Sequence, residues 1–276
     1  MQCRPFLRSP GLPTTRRIAA LAALLLLIAA GLGLTMIGRS RDLASCEAFS
    51  APGTEVWLAV GQSNAANYAE HRVEAGPGVA MFDGRRCRPA RDPLPGGDGK
   101  GGSLWTPLAD IWIREGGANR VLIAMSAQSA TAIAEWQPGG RLHRLALDTV
   151  SALRSRGLRV TRILWVQGEA DSILSTPGPT YARALAAALE PLHRASGAPV
   201  HVALAARCGD AFSSEVREAQ VRVAAGFAWT RPGPDLDSIG PGERFERCHF
   251  ARTGQIRAVA LWKEALAANP DLRNRR

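Results

Sequence analysis

Lysine is nearly missing from this sequence. Of its 34 basic residues only Lys100 and Lys263 are lysine, and the rest are arginine. Against 24 acidic residues they leave a formal charge of +10. The arginines are scattered through helical patterns and loops. Aromatic residues are scarce, at 6%, and do not interleave with them, which excludes the basic stripe with stacking rings that marks a nucleic-acid binder. A diffuse positive field suits a polyanionic glycan or an anionic membrane surface instead. Histidine and cysteine nowhere gather at metal-ligand spacing, so no metal and no cofactor is expected. There is no internal repeat. Apolar residues make up 46% of the chain, too many for a disordered one.

Long apolar runs are also lacking, with one exception. Residues 18–37 read IAALAALLLLIAAGLGLTMI without a charge. At about 1.5 Å per residue these twenty positions can cross a hydrocarbon core of about 30 Å. Arg4, Arg8, Arg16 and Arg17 precede the run, and Arg39 and Arg41 follow it. The excess of arginine before the run places the N-terminus in the cytoplasm and the rest outside. The run is longer than the core of a signal peptide, and Thr35-Met36-Ile37 is a poor cleavage site. The expected order is therefore a cytoplasmic segment (1–17), a transmembrane anchor (18–37), a linker (38–54), one domain (55–268) and a tail (269–276). A lipobox-like Leu43-Ala44-Ser45-Cys46 is separated from the run by Arg39, Arg41 and Asp42, which argues against lipidation.

Beyond the anchor, short apolar runs alternate with helical patterns. Strands are expected at 56–60, 121–125, 160–166 and 200–205, with a weaker fifth at 227–229. Helices are expected at 104–115, 142–156, 181–195, 214–225 and 253–267. This alternation predicts an α/β fold, a parallel sheet covered by helices on both faces. Ligands in such sheets bind at the carboxyl ends of the strands, so the polar residues that follow strands are the place to look for chemistry. The Pro/Gly-rich stretch 89–102 reads as a long loop inside the domain.

The first strand runs into Gly61-Gln62-Ser63-Asn64-Ala65, where a serine on a tight turn can face the crevice or merely cap a helix. It is not a Gly-x-Ser-x-Gly elbow, because position 65 is alanine. The third strand ends in Trp165-Val166-Gln167-Gly168-Glu169-Ala170-Asp171. Near the C-terminus, Glu246-Arg247-Cys248-His249-Phe250 precedes the last helix. His143 and His193 fall in helical stretches, His201 starts a strand and His71 lies in a polar loop. His249 alone is placed to serve Ser63 as a general base.

These three blocks, in this order, resemble the signature blocks of the SGNH hydrolases, in the sialate O-acetylesterase-like branch that includes the acetylxylan esterases of carbohydrate esterase family six. The stretch from Asp92-Pro93-Leu94 to Gly101-Gly102-Ser103 fits a glycine block of that branch. Residues 129–136, Ser-Ala-Thr-Ala-Ile-Ala-Glu-Trp, fit its Gly-Gly-Thr-x-Ile-x-x-Trp segment with both glycines replaced. The resemblance spans about residues 56–262 and implies a flavodoxin-like three-layer sandwich around a sheet of about five parallel strands. It implies Ser63 as nucleophile and His249 as base. The oxyanion hole would be the backbone N–H groups of Ser63 and Gly102 with the side chain of Gln167. Where the branch has aspartate this chain has Glu246, leaving Asp235, Asp237 or a Ser–His dyad as alternatives. Gln62, Asn64, Glu169 and Trp136 would line the substrate site, shaped by the loops 89–99 and 232–244. The implied activity is removal of O-acetyl or other short acyl groups from a glycan. The alternatives are a lipid ester or thioester as substrate, or a glycan-binding module that has kept the fold without turnover.

Cys46, Cys87, Cys208 and Cys248 lie outside the anchor, an even number in an oxidising compartment. Spacing alone does not pair them. If His249 reaches the sheet edge where Ser63 sits, Cys248 meets Cys208 after the fourth strand and Cys46 is left for Cys87. The alternative is a buried free thiol at Cys248. For the N-terminus, fractionation with intact-mass analysis is expected to find the full-length chain in the membrane. A soluble product beginning near residue 40 would mean that the apolar run is a cleaved signal.

Overall fold

A computed structural model describes residues 46–268. The apolar run expected to be an anchor, the cytoplasmic segment and the tail lie outside the described residues. No described helix is long and apolar enough to cross a membrane.

A seven-stranded sheet forms the centre, in the order β3-β2-β4-β1-β5-β6-β9. Its strands are β1 (Thr54–Gly61), β2 (Val79–Phe82), β3 (Cys87–Pro89), β4 (Arg120–Ala127), β5 (Arg162–Val166), β6 (Val200–Leu204) and β9 (Thr230–Asp235). All neighbours run parallel except β2 and β3. Two small hairpins stand apart from it. One joins β7 (Arg207–Cys208) to β8 (Ala211–Phe212), and the other joins β10 (Arg244–Phe245) to β11 (His249–Phe250).

Alternation along β1 shows why both faces are covered. Val56, Leu58 and Val60 pack into a cluster with α2 (Arg141–Arg154), α4 (Gly178–Ser196) and α5 (Ser214–Gly226). Trp57 and Ala59 point the other way, into a cluster with α1 (Trp105–Arg114) and α6 (Arg252–Ala267). The period of two in a strand sends successive side chains to opposite faces. Because both faces are buried, the strand reads as a continuous apolar run. The five expected helices are all present within a few residues. A further short helix, α3 (Glu169–Ile173), follows β5.

Three expectations need correction. The fifth parallel strand is Thr230–Asp235, not 227–229. Its sequence, TRPGPD, carries two prolines that would break a central strand, but β9 is an edge and tolerates missing donors on its open side. Pro232 therefore belongs to the sheet rather than to a pocket loop. β2 and β3 were not anticipated, being only four and three residues long. Finally, the domain begins before residue 55. Cys46–Ser50 form a 3-10 helix that buries Phe49 in the core, and Cys46 is bonded to Cys87 of β3 with the Cα atoms 5.1 Å apart.

At the amino end of the sheet a buried ion pair joins neighbouring strands. Arg162 Nε donates to Glu55 Oε2 at 2.9 Å, and Trp57 Nε1 donates to the same oxygen at 2.6 Å. Breaking such a pair by removing one partner typically costs about 3–5 kcal/mol, because the remaining charge is left buried. His201 lies 3.5 Å from this guanidinium. Burial, with the Arg162 charge, pushes its pKa down to about 3, so it packs as a neutral ring far from the carboxyl edge where chemistry is expected.

Candidate active site

The carboxyl end of β1 turns sharply into the 3-10 helix Ser63–Ala65. Gly61 makes the turn possible. Its φ is +140°, and a Cβ there would lie 1.9 Å from the Val166 carbonyl oxygen. Gln62 N–H donates to that same carbonyl at 2.9 Å, which locks the turn to the end of β5. Ser63 N–H donates to no other described residue, and neither does its hydroxyl. Both are free to meet a substrate.

The residues around Ser63 are mostly interior. Gln62 turns its side-chain oxygen inward, where it accepts from the backbone N–H groups of Gly168 and Ala170, each at 3.3 Å. Asn64 Nδ2 donates to Glu169 Oε1 at 2.8 Å and to the Cys248 carbonyl at 3.4 Å. Glu169 is 1% exposed and Trp136 also 1%. The Trp136 ring packs edge-on against Trp165, and its Nε1 donates to Thr131 Oγ1 at 3.0 Å. These four residues, expected to touch substrate, are buried, and the hydrogen bonds their side chains make run to other protein groups.

His249 reaches the same edge. β11 packs against the Ser63–Ala65 turn. Cys248 is bonded to Cys208, with Cα atoms 4.2 Å apart, so the expected brace is present. The β7–β8 hairpin is further tied to the histidine loop by Gly209 N–H donating to the Arg247 carbonyl at 2.9 Å and by an Arg247–Asp210 ion pair. Glu246 Oε2 lies 3.2 Å from His249 Nδ1. Asp235 and Asp237 are engaged elsewhere. Asp235 forms a two-pronged pair with Arg217 at 2.6 and 2.7 Å, and Asp237 accepts from the backbone of Ala206 and Arg207. The structure thus brings Ser63, His249 and Glu246 to one edge. No direct hydrogen bond joins Ser63 Oγ to the imidazole, a looseness common in unliganded sites.

Two of the three expected oxyanion donors are not available. Gly102 N–H donates to the Ala69 carbonyl at 2.6 Å. The glycine is there because a Cβ would strike the His71 carbonyl oxygen at 1.8 Å. Gln167 is fully buried, and its amide donates to the Thr131 carbonyl at 3.0 Å and to Asp171 Oδ2 at 2.5 Å, using both protons. In the segment that follows β4 one backbone N–H stands free. Ala130 is exposed, holds a left-handed φ of +55°, and its N–H donates to no other described residue. The segment is pinned on both sides of it against the neighbours of Ser63: Gln128 N–H donates to the Gly61 carbonyl at 2.9 Å, and the Thr131 carbonyl accepts from Gln167.

The Ser63 turn is locked to β5, and the His249 strand packs against that turn. A family model described as carbohydrate esterase, sialic acid-specific acetylesterase, matches residues 53–259. The chain belongs to this family. It is a carboxylic ester hydrolase. Solved structures share its fold. A protein of Arabidopsis thaliana aligns with a TM-score of 0.67 at 18% identity, over 79% of this chain and 99% of that one. A carbohydrate acetylesterase from Xanthomonas citri aligns at 0.53 and 17% identity, covering 78% of this chain and 57% of its own. NanS aligns at 0.53 and 16%, over 78% and 97%. No curated protein matches the sequence.

Glu169 gives this esterase a measurable signature. Burial raises its pKa to about 7, offset only in part by the Asn64 hydrogen bond, and its Oε2 is buried without a partner. Between about pH 4.5 and 7 the folded protein therefore holds a proton that the unfolded chain has released. The stability that proton represents is fully present below that window and lost as pH rises through it. His201, with its lowered pKa, works in the opposite sense below about pH 6.5, so the wild-type profile mixes the two. The difference between Glu169→Gln and wild type isolates Glu169. In urea unfolding that difference is expected to shift in favour of the variant by up to about 3 kcal/mol between pH 4.5 and 8. An equal difference at both pH values would show that Glu169 is charged throughout.

Proposed function

We propose that this esterase removes O-acetyl groups from a carbohydrate through an acetyl-enzyme formed on Ser63. The observation that carries the reading is the packing of the His249 strand against the Ser63 turn, with Glu246 on the far nitrogen of the imidazole. A proton held on Nδ1 by Glu246 leaves Nε2 free to take the Ser63 proton. Oγ then attacks the ester carbonyl, and the developing oxyanion is met by the N–H groups of Ser63 and Ala130. One such donor is worth about 2.7–4 kcal/mol. Collapse expels the sugar hydroxyl, which takes the proton back from His249. Water, deprotonated by the same imidazole, releases acetate and restores Ser63.

The left-handed Ala130 supports this assignment of the hole. Non-glycine residues with positive φ cost of order 1–3 kcal/mol and persist where surroundings and function demand them. The substrate class follows from the family and from the acetylesterase activity named for the Xanthomonas citri relative. We also propose that the domain lies outside a membrane to which it stays attached, a reading that the apolar run 18–37 and its arginine asymmetry support.

Ser63→Ala is expected to lower kcat on p-nitrophenyl acetate and on acetylated glycans by several orders of magnitude with an unchanged melting profile. A folded variant keeping more than about a tenth of wild-type activity would overturn the assignment.

A further inference from the structure

We propose that Tyr68 is a positioning residue that holds the imidazole of His249 in its working orientation; the inference rests on His249 being the base. The starting point is a mismatch in how that imidazole is held. Its polar partner, Glu246, is 70% exposed as a side chain, whereas the His249 side chain is only 15% exposed. A polar contact whose one member stands in solvent holds little. Glu246 and Arg247 also sit in consecutive left-handed conformations, at φ +49° and +59°, in a turn rather than in a rigid element. Something else covers and steadies the ring.

Two aromatic rings do. Phe245 lies 5.6 Å from the imidazole, centroid to centroid, and Tyr68 lies 4.9 Å away with the planes 33° apart. Phe245 is paired with His249 in the same hairpin, so it moves with the histidine and cannot fix it relative to the nucleophile. Tyr68 belongs to the chain that follows Ser63. Its backbone neighbours are stitched to the long loop: Asn67 N–H donates to the Asp98 carbonyl at 3.0 Å, and Ala69 N–H to the Gly102 carbonyl at 3.0 Å. The far end of its ring is anchored as well. Its hydroxyl donates to Ser129 Oγ at 3.0 Å, and that hydroxyl donates on to Asp98. Asp98 in turn accepts from Ser129 N–H and from Gln128 Nε2, both at 3.0 Å. The ring is thus fixed at its base by the nucleophile's own segment and at its tip by the segment carrying Ala130. It transmits the geometry of both to the imidazole through a tilted ring contact, with the centroids 4.9 Å apart.

The role makes a demand on the ring rather than on the hydroxyl, and that separates it from a substrate contact. In the full-length protein, Tyr68→Leu is expected to lower kcat on p-nitrophenyl acetate by about tenfold or more, as small misplacements of catalytic groups do, with KM within about twofold. Tyr68→Phe is expected to recover most of that loss. An NMR spectrum supplies a readout independent of turnover. The His249 ring protons, assigned by their loss in His249→Gln, should lie upfield in wild type and Tyr68→Phe and move downfield in Tyr68→Leu as the ring current disappears. A folded Tyr68→Leu with kcat within about twofold of wild type would overturn the proposal. So would a Tyr68→Phe as impaired as Tyr68→Leu, since that would place the function in the hydroxyl. Ser63→Ala run in the same assay distinguishes a failure of this proposal from a failure of the nucleophile assignment, because the ring-current shift reads the stack whether or not Ser63 is the nucleophile.

Discussion

The side-chain amide of Asn64 joins the Ser63 turn to two distant segments. It follows the nucleophile directly, donates to Glu169 beyond the end of β5, and reaches the carbonyl of Cys248 beside the histidine. Glu169 and Cys248 lie 105 and 184 residues from Asn64 in sequence, and each segment is mobile in the unfolded chain. A buried amide with partners in two distant segments fixes their spacing in a way that a surface contact cannot, because any departure leaves a desolvated polar group unpaired. Arg244 completes the arrangement from the other side. Its buried guanidinium donates to the Cys248 carbonyl at 2.6 Å and to the carbonyls of Ile239 and Leu236, so the histidine hairpin is held to the region after β9 as well as to the nucleophile turn.

This division of labour explains the low exposure of the site's polar residues. Gln62, Asn64, Gln167 and Glu169 carry motif positions that a reader assigns to substrate, yet their hydrogen bonds run inward. Gln167 illustrates the point. Its amide is spent on Thr131 and Asp171, its carbonyl accepts from Gln220 and Tyr181, and it welds β5 to α4, α5 and the segment after β4. The uncommitted groups are fewer: the Ser63 hydroxyl and N–H and the Ala130 N–H donate to no other described residue, and the His249 ring is engaged at Nδ1 by Glu246. Most of the scaffold's polar groups satisfy one another, although Asn64 Oδ1 and Glu169 Oε2 are buried without a partner.

Much of this was legible in the sequence, for identifiable reasons. Strands buried on both faces are unbroken apolar runs, which is why β1, β4, β5 and β6 stand out. The helices between them carry apolar stripes. β9 was misplaced because its prolines and glycine mimic a turn, and only its position at the edge of the sheet makes them tolerable. Ser63 stood out because it follows a strand-like run, and His249 because it lies in a loop before the last helix; the structure brings the two to one edge. The cysteine pairing followed once both were set at one edge. The roles of Gln62, Glu169 and Trp136 were not legible, because a polar residue near a motif reads as a surface group unless its buried partners are known. Gly102 misled for a related reason: glycine there answers a close approach of backbone to His71, which no local pattern reveals. Ala130 carries only an indirect sequence signal, standing where the resembled segment has glycine, and Tyr68 carries none. One is an alanine in a backbone shape that glycine usually takes, and the other is one of two tyrosines in the chain, made significant only by what folds against it.

The central claim is that Ser63 is the group acylated by substrate. Reaction of the native enzyme with a fluorophosphonate ester, followed by peptide mass mapping, tests it most directly. The account predicts a single phosphonyl group on the peptide containing Ser63, stoichiometric with loss of esterase activity and slowed by an acetylated sugar. Complete inactivation with the label elsewhere, or undiminished turnover after Ser63 has been modified, would contradict it.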